Sequence, residues 1–243
     1  GIISYIGKDV FEAFYDEVLK AQVNKGICEK VKLSIIYTPL NGTGNKPVRE
    51  IFKRMGASNI TVVKTQELPD GDFPTCPFPN PEIKQAFEEG EKVASELSEK
   101  ADLIIATDPD CDRIGIAVLE EGEYKLMSGN EVGALLTHYL LSELSRKNIL
   151  PKNPIIVKTI VTSKLIEVIS EKFGAKTADL LTGFKYIGEL ITELEKRGEE
   201  NRFVLGMEES YGYLRGVHAR DKDAVVAALM IVEMESFYKL QGK

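Results

Sequence analysis

The chain has 243 residues, 43% of them hydrophobic and 28% charged, with a formal net charge of -7 and three cysteines. This composition excludes a disordered chain, and the negative charge argues against non-specific nucleic-acid binding, so an anionic ligand has to be held by local basic side chains. Cys28, Cys76 and Cys111 are widely spaced without a CxxC pair, which indicates neither a disulfide framework nor a zinc site and suits a reducing cytoplasm; no apolar run reaches the roughly 18 residues of a membrane span, and no export leader is expected.

In chain order, the apolar spacing predicts a helix over 9–24 with Val10, Phe11, Phe14, Val18 and Leu19 inward and Gly26 as its stop. An apolar strand at 33–37 runs into the small-residue loop 38–45. A helix follows that carries Val48, Ile51, Phe52 and Met55 and is closed by Gly56. In a strand, glycine loop and helix of this kind, backbone N–H groups can face an anion. Gly42 and Gly44 match neither a GxGxxG nor a Walker pattern, however, and a tight strand-to-helix turn is the alternative.

A second strand at 60–63 leads into a long proline-rich loop over 64–81, of the kind that is usually functional or flexible. Next come a helix over 81–99 with Ile83, Phe87, Val93 and Leu97 inward, a strand through Ile104, Ile105 and Ala106, and strands at 114–119 and 124–127 joined by a hairpin turn.

The strand through Ile104 empties into Asp108-Pro109-Asp110-Cys111-Asp112-Arg113. In an extended segment, side chains at i, i+2 and i+4 share a face, so the three carboxylates can converge. Unit charges about 4 Å apart near a protein surface repel by roughly 4 kcal/mol, which invites a hard cation such as Mg²⁺. Arg113 would then stand beside a phosphate on that metal. A solvated acidic turn is the bland alternative. An EF-hand does not fit, because Arg113 takes its glycine position and Leu119 its bidentate glutamate.

A second unit begins near Ser128, with helices at 130–147, 163–173, 186–197 and 222–239 and strands at 155–157, 176–180 and 203–205. Alternating strands and helices predict two consecutive three-layer α/β/α domains with mixed, largely parallel sheets, divided as 1–127 and 128–243. Ligands gather beyond the carboxyl ends of such strands. The second unit places Lys158, Thr182, Gly183, Lys185, Glu208, Ser210, His218, Arg220 and Lys222 at strand ends or helix starts. Taken singly, each also reads as a surface charge, a cap or a structural side chain.

Together these stretches resemble the α-D-phosphohexomutase superfamily of phosphoglucomutases and phosphomannomutases. Residues 108–113 are similar to its D-G-D-G-D-R metal loop, and Gly206-Met207-Glu208-Glu209-Ser210-Tyr211-Gly212 to its sugar-binding loop. The segment from Lys158 through 182–188 to Arg220-Asp221-Lys222-Asp223 is also similar in order and spacing. Glycines are usual at the positions of Pro109 and Cys111, which leaves ligation intact and stiffens the backbone at Pro109.

Family members have four domains, and this chain resembles the second and third. The resemblance therefore implies a central fragment, consistent with an opening at Gly1, whose partners are the missing N-terminal and C-terminal domains of the same polypeptide and a small-molecule sugar phosphate. It implies neither nucleic acid nor membrane as a partner. The intact enzyme would interconvert hexose 1-phosphate and 6-phosphate through a phosphoserine and a hexose 1,6-bisphosphate, in the cytoplasm, and Glu208-Glu209-Ser210 leans toward glucose. One Mg²⁺ would sit on Asp108, Asp110 and Asp112. Arg113 would steady the phosphoryl group, and Lys158 would be the general acid/base, a task that requires a lowered pKa. Thr182, Gly183, Glu208, Ser210, His218, Arg220 and Lys222 would hold the sugar or its phosphate. Two other classes stand beside this one: a haloacid-dehalogenase-like phosphatase with Asp108 as nucleophile, and a non-catalytic sugar-phosphate binding module.

Overall fold

The computed structural model describes residues 3–242. Helix α1 (Lys8–Leu19) is followed by strand β1 (Ile35–Thr38), α2 (Asn45–Arg54), β2 (Ile60–Val62), α3 (Glu88–Glu96), β3 (Leu103–Thr107), β4 (Ile114–Glu120) and β5 (Glu123–Leu126). These strands form one sheet in the order β2-β1-β3-β4-β5. Its first three strands are parallel, and β3, β4 and β5 are antiparallel neighbours. The hairpin between β4 and β5 turns at Glu121 and Gly122, whose positive φ angles of 50° and 90° are those of a type I′ turn.

Successive residues of the parallel strands serve opposite faces. Ile35, Tyr37, Leu103 and Ile105 enter one core cluster, while Ile36, Ile104 and Ala106 enter another with Phe87 and Ala94. Both faces are therefore covered, as the near-continuous apolar strands require.

Four first-unit expectations change. The first helix ends at Leu19, because the Glu233 carboxylate takes the N–H groups of Val23 (3.0 Å) and Asn24 (3.1 Å) and turns the chain there. Its buried residues are Tyr15 and Val18, whereas Val10 and Phe11 are exposed. The helix meets α2, whose Arg54 lies 4.6 Å over the Tyr15 ring, so its inward stripe is rotated from the one expected.

The helix expected from residue 81 opens instead as a turn and a 3-10 segment, Lys84–Phe87, since the Asn80 side chain accepts the Glu82 N–H at 2.9 Å. Within α3 the buried residues are Gly90 and Ala94, and a Cβ at Gly90 would lie 2.8 Å from Ile104 Cγ2. The helix thus approaches the sheet at its small residues, leaving Val93 and Leu97 partly buried.

The second unit comprises α4 (Gly129–Arg146), β6 (Ile155–Thr159), α5 (Leu165–Lys172), β7 (Lys176–Leu180), α6 (Phe184–Lys196), β8 (Phe203–Glu208), β9 (Gly212–Leu214) and α7 (Ala224–Leu240). Ser128 and Glu131 form a capping box at the start of α4. The sheet order is β7-β6-β8-β9, parallel except for the β8–β9 pair. The three residues of β9 were too short a run to stand out in the sequence.

Helix α7 joins the two units. It is apolar around most of its circumference and touches α1, α2 and β4 as well as α4 and β9. One core cluster consequently runs from Tyr15 and Ile35 to Ile156 and Leu205. The buried Glu233 on α7 also accepts the Tyr139 hydroxyl at 2.9 Å. No helix among the described residues is long and apolar enough to cross a membrane.

Replacing Glu233 by alanine strands two N–H groups in this core and removes the acceptor of the Tyr139 hydroxyl proton. Urea denaturation of Glu233→Ala should show a loss of about 2–4 kcal/mol, against about 0.5 kcal/mol or less for Val10→Ser at the exposed face.

Candidate functional site

The buried run of β3 ends at Thr107, and the chain reverses within a few residues to begin β4 at Ile114. The reversal is a tight turn: Cys111 N–H donates to the Asp108 carbonyl at 3.0 Å, and Cys111 has φ 61°. The carboxylates therefore converge by wrapping, not by alternation along an extended segment as the sequence suggested. One oxygen from each of Asp108, Asp110 and Asp112 lies within 4.8 Å of the others.

The preceding loop supports this turn from below. Thr43 donates to the Pro109 carbonyl from both N–H (2.8 Å) and Oγ1 (3.1 Å). A Cβ on Gly42 would stand 2.3 Å from Pro109 Cα, and one on Gly44 would stand 2.9 Å from Cys111 Sγ. Glycine is needed here for close approach. The N–H groups of Asn41, Gly42 and Thr43 go to the carbonyls of Gln66, Pro39 and Pro109, so the loop is the tight strand-to-helix turn and not an anion cradle.

The acidic turn is electrostatically loaded. Asp108 is buried, and its Oδ1 accepts the N–H groups of Asp112 (3.0 Å) and Arg113 (2.8 Å). Burial pushes the Asp108 carboxyl up to about 7; the Arg113 N–H bond opposes that shift, while the charges of Asp112 and Asp110 add to it. Asp112 Oδ1 is buried without a hydrogen-bond partner. Burial raises the Cys111 thiol strongly, so it stays protonated and the available donors are oxygens. A buried orphan oxygen within an all-carboxylate set fits a hard divalent cation. Arg113 flanks the set, with Nε 3.7 Å from Asp112 Oδ1 and Nη1 paired with Glu82 at 2.8 Å.

The second loop of the site follows β8. Glu208 is buried at the strand end, and its Oε1 accepts the Gly183 N–H at 2.9 Å. Gly183 has φ 119°, a conformation that glycine adopts readily, and it precedes α6; Thr182 beside it is exposed. Glu209 receives the Thr159 hydroxyl at 2.8 Å. Ser210 stands half-buried in the turn toward β9, and a Cβ on Gly129 would meet the Glu209 carbonyl at 2.1 Å, so the start of α4 seats this turn.

Backbone bonds hold the two loops edge to edge. Ile114 N–H donates to the Tyr211 carbonyl at 3.1 Å, Ala224 N–H donates to the Cys111 carbonyl at 3.1 Å, and Arg113 and Gly212 form an antiparallel bridge. Lys222 crosses the seam. Its Nζ lies 2.9 Å from Asp112 Oδ2 and 3.0 Å from Asp221 Oδ1, over the Phe184 ring at 5.7 Å. Its stem runs so close to Gly212 that a Cβ there would fall 2.1 Å from Lys222 Cδ. Burial works to lower the Lys222 pKa, but the two carboxylates prevail and raise it.

The structure thus brings Asp108, Asp110, Asp112, Arg113 and Lys222 together, with the 206–212 loop bonded alongside. Three other residues are turned elsewhere. Lys158 is buried in ion pairs with Asp179 (2.8 Å) and Glu167 (3.1 Å). Desolvation pulls its pKa down, yet these partners outweigh it and the net shift is upward, which corrects the expectation of a lowered pKa. His218 Nε2 lies 2.8 Å from Asp223, whose other oxygen caps α7 through the Val225 N–H at 2.7 Å. Arg220 bonds Thr192 at 3.1 Å, the Val217 and Ala219 carbonyls, and Glu195.

The sequence does not single out Glu82. Nothing in the proline-rich stretch before it signals a partner for Arg113, because the pairing is made only by the fold. Beside these residues lies a hollow of about 220 Å³ lined by Phe78, Asn80, Asp108, Pro109 and Arg113. In a larger one of about 820 Å³ between α1 and α2, Arg49 and Arg54 are already paired with glutamates.

Comparison with known proteins gives the same assignment in both halves. Residues 12–122 match the family model of the phosphoglucomutase/phosphomannomutase alpha/beta/alpha domain II, and residues 128–239 match that of domain III. The chain is 35% identical over 243 residues to a phosphoglucomutase of Staphylococcus saprophyticus, covering 100% of this chain and 42% of the relative. It is 32% identical over 235 residues to a phosphomannomutase of Mycoplasmoides pirum, covering 96% and 41%. Among solved structures, the Paramecium phosphoglucomutase parafusin superposes with a TM-score of 0.68 at 20% identity, over 97% of this chain and 38% of that one. An N-acetylphosphoglucosamine mutase of Aspergillus fumigatus superposes with a TM-score of 0.62 at 18% identity, over 94% and 51%. The chain spans about two fifths of the length of the two curated relatives. It belongs to the phosphoglucomutase/phosphomannomutase family, of which it carries the alpha/beta/alpha domains II and III.

Proposed function

We propose that this chain is the central part of a phosphohexomutase, with domains at 1–127 and 128–243, that interconverts hexose 1-phosphate and hexose 6-phosphate through a phosphoserine and a hexose 1,6-bisphosphate. The observation that carries this reading is the seam itself: the carboxylate turn and the 206–212 loop are bonded backbone to backbone, with Lys222 across them. The names of the relatives agree with it, and the Aspergillus fumigatus structure is a complex with GlcNAc-6P and magnesium. Glucose is the preferred sugar, on the strength of Glu208-Glu209-Ser210.

Asp108, Asp110 and Asp112 would hold one Mg²⁺, which supplies charge neutralisation and Lewis acidity to a bound phosphate oxygen. Arg113, steadied by Glu82, offers its guanidinium to the phosphoryl group. Glu208 spends Oε1 on Gly183 and keeps Oε2 to accept a sugar hydroxyl, with Ser210 as a donor and Thr182 and Gly183 as the wall. Lys222 supplies positive charge at the seam. His218 and Arg220 act by shaping the segment that carries Lys222, since their side chains are committed to Asp223 and α6. Lys158 holds β6 to α5 and β7, and the acid/base role is not carried over to it. Asp108 as a phosphatase nucleophile is disfavoured, because that reading leaves unexplained the 206–212 loop bonded beside the carboxylate turn.

Three outcomes test this reading. Asp110→Asn should weaken Mn²⁺ or Mg²⁺ binding by about tenfold or more in calorimetry, and unchanged affinity would remove the ligand assignment. The second concerns pH. The Asp108 carboxyl rises from its ordinary 3.8 to about 7, so the folded metal-free chain keeps a proton that the unfolded chain has lost. That group's contribution to stability fades as pH rises from 3.8 through 7, while cation binding requires the proton to leave. Apparent Mg²⁺ affinity should therefore climb between pH 5 and 7 and level off above, and the rise in melting temperature on adding Mg²⁺ should be larger at pH 8 than at pH 6. Third, these 243 residues alone should not convert glucose 1-phosphate to glucose 6-phosphate, and measurable turnover in a coupled assay would overturn the fragment reading.

A further inference from the structure

We propose that Arg215 holds a small organic carboxylate with an apolar body in a hollow of about 500 Å³ at the joint of the two units. The hollow lies where the end of α1, the end of α4, the start of β8 and the segment after β9 meet. It stands at the end of β8 opposite to Glu208, roughly 16 Å away along the strand, so it is no part of the carboxylate turn and its seam. Arg215 is fixed in place while its charge goes unanswered. Nε donates to the Ala21 carbonyl of the first unit at 3.0 Å, and Nη1 donates to the Val204 carbonyl of the second at 2.9 Å, which pins the guanidinium plane. Both acceptors are neutral, and among the described residues no carboxylate forms an ion pair with the group. Glu233, the acid whose charge acts on it, already accepts the N–H groups of Val23 and Asn24 and the Tyr139 hydroxyl. Desolvation lowers the Arg215 pKa to about 10 against the pull of Glu233, and the group keeps its charge at neutral pH.

The donors left over define the ligand. A guanidinium has five N–H groups in a rigid plane, and the two backbone bonds leave one N–H on Nη1 and both on Nη2. Those two nitrogens form the end-on fork that a carboxylate fits with two parallel hydrogen bonds. The remaining wall selects among anions. Leu144, Phe203 and Val204 supply buried apolar surface, and Ile149 supplies exposed apolar surface. An apolar body is thereby rewarded, as in ligand hollows of this size generally. Glu17 and Glu200 also line the hollow; Lys20 pairs with Glu17 at 2.5 Å, whereas Glu200 forms no ion pair among the described residues. A doubly charged phosphate meets more repulsion from that carboxylate than a singly charged ligand does. The ligand that suits both fork and wall is therefore an aryl- or alkyl-carboxylate monoanion.

The test titrates phenylbutyrate, its neutral analogue phenylbutanol, acetate and inorganic phosphate into the wild-type chain, Arg215→Gln and Ile149→Glu by calorimetry, and follows amide shifts by NMR. Phenylbutyrate should bind the wild-type chain saturably and about tenfold more tightly than phenylbutanol, the ratio expected of one charge-assisted fork. Acetate, which lacks the apolar body, should bind more weakly than phenylbutyrate. Arg215→Gln, which keeps an amide donor for the backbone carbonyls, should lose about tenfold in phenylbutyrate affinity, and Ile149→Glu should weaken binding by adding like charge. The shifted amides should gather at 20–21 and 215–218. No saturable binding of phenylbutyrate, equal affinity for acid and alcohol, full affinity in Arg215→Gln, or shifts centred on 108–113 would overturn the inference. Tighter binding of inorganic phosphate than of phenylbutyrate would overturn the assignment to a carboxylate. Should Arg215→Gln fail to fold, Ile149→Glu and the acid–alcohol pair decide: undiminished affinity in the one, or no preference in the other, contradicts the inference. None of these outcomes bears on the metal site.

Discussion

The arrangement depends on the backbone contact between residues 111–114 and the segments at 211–212 and 224. Two hydrogen bonds and one antiparallel bridge fasten a turn of the first sheet to a turn of the second. Backbone bonds of this kind fix position without relying on side-chain rotamers, so the carboxylates and the 206–212 loop are held in register. Helix α7 reinforces the contact. Its first residue donates its N–H to the Cys111 carbonyl, and its body is buried against α1, α2, α4, β4 and β9. The two sheets consequently share one apolar core, and the site sits on a joint that is stiff by construction.

The electrostatics follow from that placement. A turn closed by backbone bonds and shielded by neighbouring loops cannot hydrate its acids fully, and Asp108 registers this by burial. The surroundings answer with charge that is itself anchored: Arg113 by Glu82, Lys222 by Asp221. Each cation therefore has a partner outside the carboxylate set. Lys158 shows the contrast. Its two carboxylate partners are 2.8 and 3.1 Å away, its position is interior, and the result is a structural ion pair.

Much of this was legible in the sequence because the relevant physics is local. Continuous apolar runs at Ile35-Ile36-Tyr37 and Leu103-Ile104-Ile105 marked strands covered on both faces, and the hairpin turn sits where the Glu-Gly pair places it. Motif spacing located Asp108, Asp110 and Asp112, though the convergence comes from a turn with Cys111 at positive φ and not from an extended segment. What escaped was decided by partners distant in sequence. Glu233 cuts the first helix short across 209 and 210 positions, and Glu82 meets Arg113 across 31. Whether a lysine near the end of a strand faces a cleft or a helix likewise depends on neighbours such as Glu167 and Asp179 that periodicity does not assign.

The most direct measurement of the central claim is anomalous diffraction at the manganese edge from crystals of the chain grown with Mn²⁺. A single peak within about 2.5 Å of oxygens from Asp108, Asp110 and Asp112 is the predicted result. A map without a peak there, or with its strongest peak at another acidic cluster, would contradict the account.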